Sequence, residues 1–186
     1  MKALLRFENV TLRRGGRLLF ENLNFELGAG DCLQVTGPNG SGKSSLLRLA
    51  AGLLRAERGR VSRSPLALAD DGVALDRELP LGRALQFWSA SPEKAMQAID
   101  LAHLARIPVR LLSSGQLKRA TLARVAASDA PLWLLDEPRN ALDSDGATRL
   151  GALVERHLEG GGAVLAASHQ HLGGQWRKLE LHGDSP

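Results

Sequence analysis

The sequence predicts an α/β fold, with a mostly parallel sheet wound by helices and a glycine-rich loop at its start. Two uninterrupted apolar runs, at 132–135 and 163–167, are typical of strands buried on both faces of a parallel sheet. The run 143–158 between them reads as a helix. A strand at 31–36 and a helix at 44–51 flank the glycine-rich segment. Strands alternating with helices in this way indicate a doubly wound α/β domain.

The glycine-rich segment fits the pattern of Gly, four residues, Gly, Lys and Ser. Its glycines let successive N–H groups point inward and form a nest for phosphate oxygens, and the helix that follows adds its positive end. Lys43 adds charge for the outer phosphates, and Ser44 offers a hydroxyl to a magnesium ion. A turn that binds nothing is the alternative, and the flanking strand and helix argue against it. The predicted nucleotide-binding residues here are Gly37, Pro38, Asn39, Gly40, Ser41, Gly42, Lys43, Ser44 and Ser45.

Composition limits the classes of protein that the chain can be. Its 186 residues, 44% hydrophobic and 24% charged, suit one globular domain. No apolar run approaches the roughly 20 residues of a membrane helix, and Arg6 interrupts any signal-peptide core, so we expect a cytoplasmic location. The single Cys32 excludes an internal disulfide framework and falls in a predicted buried strand. The net charge of +4 comes from scattered arginines without interleaved aromatics, so no nucleic-acid partner is expected.

The remaining elements follow in chain order. Strands at 4–10, 18–20 and 23–27, with a turn at 13–17, predict a small antiparallel sheet. Further strands are predicted at 59–61 and 66–69, and a helical pattern runs from 79 to about 127.

One apolar face of the helical region is formed by Leu81, Leu85 and Trp88, and a second helix is predicted at 95–104, before Pro108. This face either forms the core of a small helical subdomain or docks a partner helix.

The sequence as a whole predicts a single domain. It has a core at 1–69 and 129–186, which includes the antiparallel part, and a helical subdomain at 70–128.

Two carboxylates directly follow the buried strand at 132–135. The carboxyl ends of strands are where open α/β sheets bind ligands. Asp136 is therefore a candidate magnesium ligand, and Glu137 is a candidate general base for water beside a γ-phosphate. An ordinary loop acid pair is the alternative, and the preceding strand and the phosphate loop argue against it.

Two further segments carry candidate residues. Ser113, Ser114, Gly115 and Gln116 precede a helical stretch, where a hydroxyl cap and free N–H groups make an anion site. The alternative is a plain helix cap. One chain has no second phosphate for this segment, so its anion should come from another copy. His169 follows the last core strand and can reach a γ-phosphate, although a lone histidine is more often an ordinary loop residue.

Five segments together resemble an ABC-transporter ATPase cassette in order and spacing, over nearly the whole chain from Leu5 to His169. They are 37–44, 112–116, 134–138, 141–143 and 168–169. Within that superfamily the sequence is similar to the ATP-binding subunits of the bacterial cytochrome c maturation system. The segments that carry this similarity are 37–48, 78–81, 107–113 and 130–138.

The resemblance implies an ATPase that uses Mg²⁺ and works as two copies sandwiching two ATP molecules. Glu137 would be the base, His169 the γ-phosphate contact and Asp143 part of the contact between copies. It also implies integral membrane subunits of the cytochrome c maturation type, haem delivery, and a peripheral position on the cytoplasmic face of the inner membrane. The alternatives are another ABC transporter with different cargo, or a soluble ABC ATPase acting on nucleic acid. A regulatory module that binds nucleotide without hydrolysis is opposed by Glu137 and His169.

The sequence also departs from the family pattern. The family's glutamine before the helical region has no counterpart, and Asp70-Asp71 lie near its place. Ser114 stands where glycine is usual, and Arg139-Asn140 is unusual after the acid pair. No aromatic residue near Arg13-Arg14 can stack on adenine, so an arginine plane or Leu12 would have to serve. These departures suggest slow hydrolysis or dependence on partners.

Overall fold

The computed structural model describes residues 3–182, which form two sheets and five helices. The strands are β1 (Leu5–Arg14), β2 (Arg17–Leu27), β3 (Cys32–Thr36), β4 (Arg58–Arg63), β5 (Leu66–Ala69), β6 (Leu132–Asp136), β7 (Ala163–Ala167) and β8 (Arg177–Glu180). The helices are α1 (Lys43–Ala50), α2 (Leu81–Gln86), α3 (Glu93–Ala98), α4 (Ser114–Ala127) and α5 (Ser144–Glu159). The predicted α/β class, with a parallel sheet and an N-terminal antiparallel sheet, is confirmed.

The antiparallel sheet has the strand order β2-β1-β4. β1 and β2 form a hairpin in which Arg14 pairs with Arg17 across two glycines of positive φ, Gly15 (57°) and Gly16 (80°). The predicted turn at 13–17 is therefore shorter than expected. Arg13, Arg14 and Arg17 lie in the strands, because two residues with positive φ are enough to reverse the chain between antiparallel strands.

The parallel sheet has the order β5-β6-β7-β3-β8. Every neighbouring pair is parallel, so all five strands end at the same edge. β8 was not predicted, because its four residues are mostly exposed and carry no apolar run. The connection from β7 to β8 spans 168–176 and contains no helix, although parallel strands are usually joined by one.

The helical region differs in detail from the sequence prediction. The helix expected at 95–104 ends at Ala98, because Asp100 adopts a left-handed φ of 56°, and only a single 3₁₀ turn follows at Ala102–Leu104. Leu81 and Leu85 are fully buried, as their spacing predicts. Trp88 lies beyond the end of α2 and is 38% exposed, so it does not continue their buried face.

The parallel sheet separates two apolar clusters. Trp133 and Leu135 of β6 pack in the cluster that includes the helical region and α5, whereas Leu132 and Leu134 pack in the cluster with α1 and the antiparallel sheet. This division follows from the alternation of side chains along a strand. Cys32 is buried in the first cluster, and burial raises the pKa of its thiol.

A glycine in β4 tests how tightly this strand packs against its neighbour β1 in the antiparallel sheet. Gly59 has φ +83°, and a Cβ there would lie 2.3 Å from the carbonyl oxygen of Asn9. We expect Gly59→Ala to lower the free energy of unfolding by at least about 2 kcal/mol, from backbone strain and this contact. Urea denaturation measures it. The control is Gly151→Ala in α5, where a Cβ meets nothing within 4 Å and should stabilise by about 1 kcal/mol. Equal effects of the two substitutions would contradict the prediction.

Candidate active site

Three segments meet at the carboxyl edge of the parallel sheet. The glycine-rich loop follows β3, Glu137 follows β6, and His169 lies one residue beyond Ser168 after β7. They enclose a cleft of about 430 Å³. Its lining residues are Arg14, Leu19, Asn39, Gly40, Gly42, Lys43, Ser44, Ser45, Glu137 and His169. Six of the nine predicted residues of the phosphate loop and both predicted catalytic residues therefore line the same cleft.

The conformation of the loop depends on its glycines. Gly37, Gly40 and Gly42 have φ values of 139°, 80° and 102°, which residues with a Cβ rarely adopt. Gly42 is the N-cap of α1 and forms no side-chain cap, so the first N–H groups of the helix remain available to an anion.

Lys43 folds back onto the loop that precedes it. Its Nζ donates to the carbonyl oxygens of Gly37 at 2.8 Å and Pro38 at 3.1 Å, and the residue is only 8% exposed. Ser41 is also buried, and its Oγ has no hydrogen-bond partner in the described residues. Gly37, Pro38 and Ser41 thus do not line the cleft, although all three belong to the predicted loop.

Glu137 is held in an unusual backbone conformation. Its φ of 43° is left-handed, which costs about 1–2 kcal/mol for a residue other than glycine. Its N–H donates to the carbonyl oxygen of Ala167 at 2.8 Å. Its Oε1 lies 2.8 Å from Nδ1 of His169, so the two predicted catalytic side chains contact each other. The glutamate side chain is 17% exposed and the histidine 53%.

Asp136 lies behind the cleft in an environment that suits a cation. It is 8% exposed, and its Oδ1 has no hydrogen-bond partner among the described residues. Burial raises the pKa of its carboxyl; a hydrogen bond with Ser44 and the charges of Lys118 and Arg48 oppose this, and Asp71 adds to it. A buried carboxylate oxygen and a serine hydroxyl are hard oxygen ligands, which magnesium prefers. Ser44 and Asp136 could therefore hold Mg²⁺.

The predicted second anion site does not reach this cleft. Ser113 and Gln116 form a capping box, in which Gln116 N–H donates to Ser113 Oγ at 3.3 Å and Ser113 N–H donates to Gln116 Oε1 at 2.9 Å. Ser114 opens α4, and a Cβ on Gly115 would lie 2.8 Å from the carbonyl oxygen of Ala141. Within one chain these residues cap a helix, and their contact with another copy's nucleotide stays a prediction.

Other predicted residues have identifiable local roles. Asp143 is the N-cap of α5 and accepts a hydrogen bond of 2.8 Å from the N–H of Gly146. Asp70 follows β5, and its side chain accepts from the N–H of Gly72 at 3.0 Å. Asp71 is exposed and close enough to influence Asp136.

The structure narrows the set of residues that could contact adenine. Leu12 lies in β1, is 4% exposed and packs in the apolar cluster that also contains α1, so the alternative in which Leu12 contacts adenine is wrong. Arg13 pairs with Glu57 at 3.4 Å. Arg14 lines the cleft, and its Nη1 lies 3.5 Å from Oγ of Ser45. An arginine plane, the other alternative, is available there.

Sequence reasoning missed two residues that support the site. Gln34 in β3 is 2% exposed and donates through Nε2 to the carbonyl oxygens of Ser168 (3.0 Å) and Gln170 (2.8 Å), which fixes the turn that carries His169. Lys118 in α4 donates to the carbonyl oxygen of Asp136 at 3.0 Å. The sequence could have identified Gln34, because a polar side chain inside an apolar strand needs a buried hydrogen-bond partner. No feature of the sequence distinguishes Lys118 from other lysines.

A larger cavity, about 600 Å³, runs along α5 and the connection between β7 and β8. Apolar residues and glycines form much of its lining, which contains no residue of the phosphate loop. Phosphate is bound by positive groups, and these groups, Lys43 and the start of α1, lie at the smaller cleft.

Comparisons with solved structures agree with this architecture. An ATP-binding subunit of an ABC transporter superposes with a TM-score of 0.81 at 20% identity, over 89% of this chain and 79% of the other. A nucleotide-free ATP-binding cassette from an ABC transporter gives 0.76 at 21% identity, over 91% and 82%. At these identities the likeness concerns the fold alone.

Comparisons of sequence define the family. The ABC transporter family model matches residues 20–140. The chain is 51% identical to the cytochrome c biogenesis ATP-binding export protein CcmA of Sphingopyxis alaskensis, over 91% of each chain. It is 48% identical to the protein of the same name from Zymomonas mobilis, over 91% of this chain and 80% of that one. The chain therefore belongs to the ABC transporter family, as an ATPase subunit that binds ATP.

Among residues 3–182, no helix combines the length and apolar composition that crossing a bilayer requires.

The role of Lys43 can be tested by removing its ammonium group. We expect Lys43→Ala to weaken ATP binding about 100-fold, because charge-assisted hydrogen bonds to phosphate are lost. Titration with a fluorescent ATP analogue measures the dissociation constant. Lys178→Ala, on the exposed strand β8, is the control and should bind as wild type does. Undiminished affinity in Lys43→Ala would refute the phosphate-loop assignment.

Proposed function

We propose that this ATPase works as a pair of identical chains with Mg²⁺ and drives membrane subunits that deliver haem for c-type cytochrome assembly. The observation that carries the hydrolytic part is the contact between Glu137 and His169 inside the cleft that Lys43 and Ser44 line. We place the complex on the cytoplasmic face of the inner membrane, with this chain as its peripheral subunit.

Binding begins with the phosphates of ATP at the start of α1. The N–H groups of the loop and helix, together with the Lys43 ammonium, give this end of the cleft a positive character that suits a polyphosphate. Lys43 then exchanges its two carbonyl acceptors, Gly37 and Pro38, for phosphate oxygens. Arg14 offers its guanidinium plane at the cleft wall to the adenine.

Glu137 is the proposed general base. It lies at the cleft with one oxygen on His169, and its other oxygen, Oε2, has no partner among the described residues. With ATP bound, His169 would leave its contact with Glu137 for the γ-phosphate, which frees Oε1 of the glutamate. That oxygen could then accept the proton of an attacking water, so the base becomes available only when the γ-phosphate is present.

Magnesium would be held by Ser44 and Asp136. When bound, the ion neutralises charge on the phosphate oxygens during transfer. Buried Asp136, whose Oδ1 lacks a partner among the described residues, fits this role on burial and on donor type.

The paired arrangement rests on the start of α4. Ser113, Ser114, Gly115 and Gln116 lie outside their own chain's cleft, yet they present the N-terminus of a 14-residue helix, where an anion is favoured. A second copy could place its ATP against this segment. ATP would then join the two chains, and hydrolysis would release them.

The proposed cargo follows from the relatives. The proteins that match at 51% and 48% identity are named cytochrome c biogenesis ATP-binding export proteins, and this chain spans 91% and 80% of their lengths. Residues 3–182 supply the ATPase, so the path for haem would belong to integral membrane subunits of the cytochrome c maturation type.

Replacing the proposed base separates binding from hydrolysis. Glu137→Gln should lower the turnover of ATP by at least about 100-fold, because the amide cannot accept the proton. ATP affinity should persist, and size-exclusion chromatography with ATP should show accumulation of a dimer. Glu155→Gln on the exposed face of α5 is the matched control. Turnover at the wild-type rate in Glu137→Gln would remove this residue from the role of base.

The cargo requires a test in the cell. We expect a strain without this gene to lose covalently bound haem from its c-type cytochromes, as measured by haem staining. The wild-type gene should restore the signal and the Glu137→Gln gene should not, while both proteins should co-purify with the same membrane subunits. Normal c-type cytochromes in the deletion strain would overturn the proposed cargo and leave the ATPase assignment intact.

A further inference from the structure

One peptide bond of the site is held from both sides. The carbonyl oxygen of Asp136 and the N–H of Glu137 belong to the same peptide plane. The carbonyl accepts a hydrogen bond of 3.0 Å from Nζ of Lys118, and the N–H donates one of 2.8 Å to the carbonyl oxygen of Ala167. The first contact comes from α4 and the second from β7, so the plane is fixed between two elements.

The orientation of this plane determines where the Glu137 side chain points. Its φ of 43° describes the rotation between the peptide plane and the rest of the residue. The left-handed region is unfavourable by about 1–2 kcal/mol for a residue with a Cβ, so tertiary contacts must maintain it. In this conformation the carboxylate reaches His169 at 2.8 Å.

Lys118 is suited to hold this position. It is partly buried on α4, and its ammonium donates to the Asp136 carbonyl oxygen at 3.0 Å. Burial lowers the pKa of this ammonium, and the nearby carboxylates of Asp70, Asp71, Asp136 and Glu137 oppose that shift.

We propose that Lys118 is a positioning residue, which holds the Asp136–Glu137 peptide so that the glutamate carboxylate stays directed into the cleft. Lys118 lies two residues after Gln116 on the same helix, so the direction of the base depends on the position of α4. The inference rests on the proposed role of Glu137 as base and adds a residue outside the cleft to the same reaction.

The attachment of α4 does not depend on Lys118 alone. Arg124, six residues further along the helix, donates through Nη2 to the carbonyl oxygen of Leu68 in β5. Its guanidinium also lies over the ring of Trp88, 4.7 Å from the centroid. With these contacts retained, removal of the Lys118 ammonium should change the direction of Glu137 without detaching the helix.

The experiment compares Lys118→Met, which keeps the chain length and loses the donor, with Lys118→Arg, which keeps a donor. We expect Lys118→Met to lower kcat at least about tenfold, because small displacements of a reacting group are costly. The dissociation constant of ATP, the Mg²⁺ concentration for half-maximal rate and the urea midpoint should change little. Lys118→Arg should restore most of the rate. Lys94→Met on α3, an exposed lysine, is the control.

The outcomes distinguish this inference from the function on which it rests. An unchanged kcat in Lys118→Met, beside an inactive Glu137→Gln, overturns the inference alone. Loss of ATP affinity and of the urea midpoint in parallel with kcat also overturns it, since Lys118 would then be structural. Full activity of Glu137→Gln overturns the proposed base and the inference together. The double variant Lys118→Met, Glu137→Gln should be no slower than Glu137→Gln, and a further drop would place Lys118 in a separate step.

Discussion

The parallel pairing of β3, β6 and β7 is the constraint on which the site depends. Strands that run in one direction end at one edge, so three segments far apart in sequence, 37–45, 136–137 and 168–169, are brought to the same cleft. The pairing also explains the strong burial of the strands, since both faces must be covered. The three segments can therefore be short and still contact one another. Their side chains are not needed to hold the segments together and can take part in binding and catalysis.

Around this edge, positive and negative groups are arranged in alternating layers. The start of α1 and Lys43 present positive charge to the cleft, the Glu137 carboxylate lines the same cleft, and the buried Asp136 carboxylate lies behind it. Behind the carboxylates comes a second positive group, Lys118. The backbone shares in the arrangement, because Lys43 and Lys118 both donate to carbonyl oxygens.

The sequence predicted what local patterns determine and missed what distant contacts determine. The buried strands β6 and β7 were evident as apolar runs, and the loop's residue types pointed to phosphate. β8 was missed because its four residues have no pattern, and the helix at 95–104 was overextended because nothing in its sequence marks Asp100 as left-handed. The support of the site by Gln34 and Lys118 arises from pairings 134 and 18 residues apart, which depend on the topology. Leu12, one of the two alternatives for the adenine contact, was ruled out for the same reason, because its burial depends on how the antiparallel sheet packs against the rest of the core.

The left-handed backbone of Glu137 bears on how this protein can change over generations. Glycine occupies that conformation without strain, so replacing the glutamate by glycine would relieve about 1 kcal/mol there. Drift towards greater stability would thus favour loss of the carboxylate. Keeping glutamate at this position therefore carries a small but constant thermodynamic disadvantage relative to glycine. A chain released from the proposed reaction would gain stability from glycine there, in an otherwise intact fold.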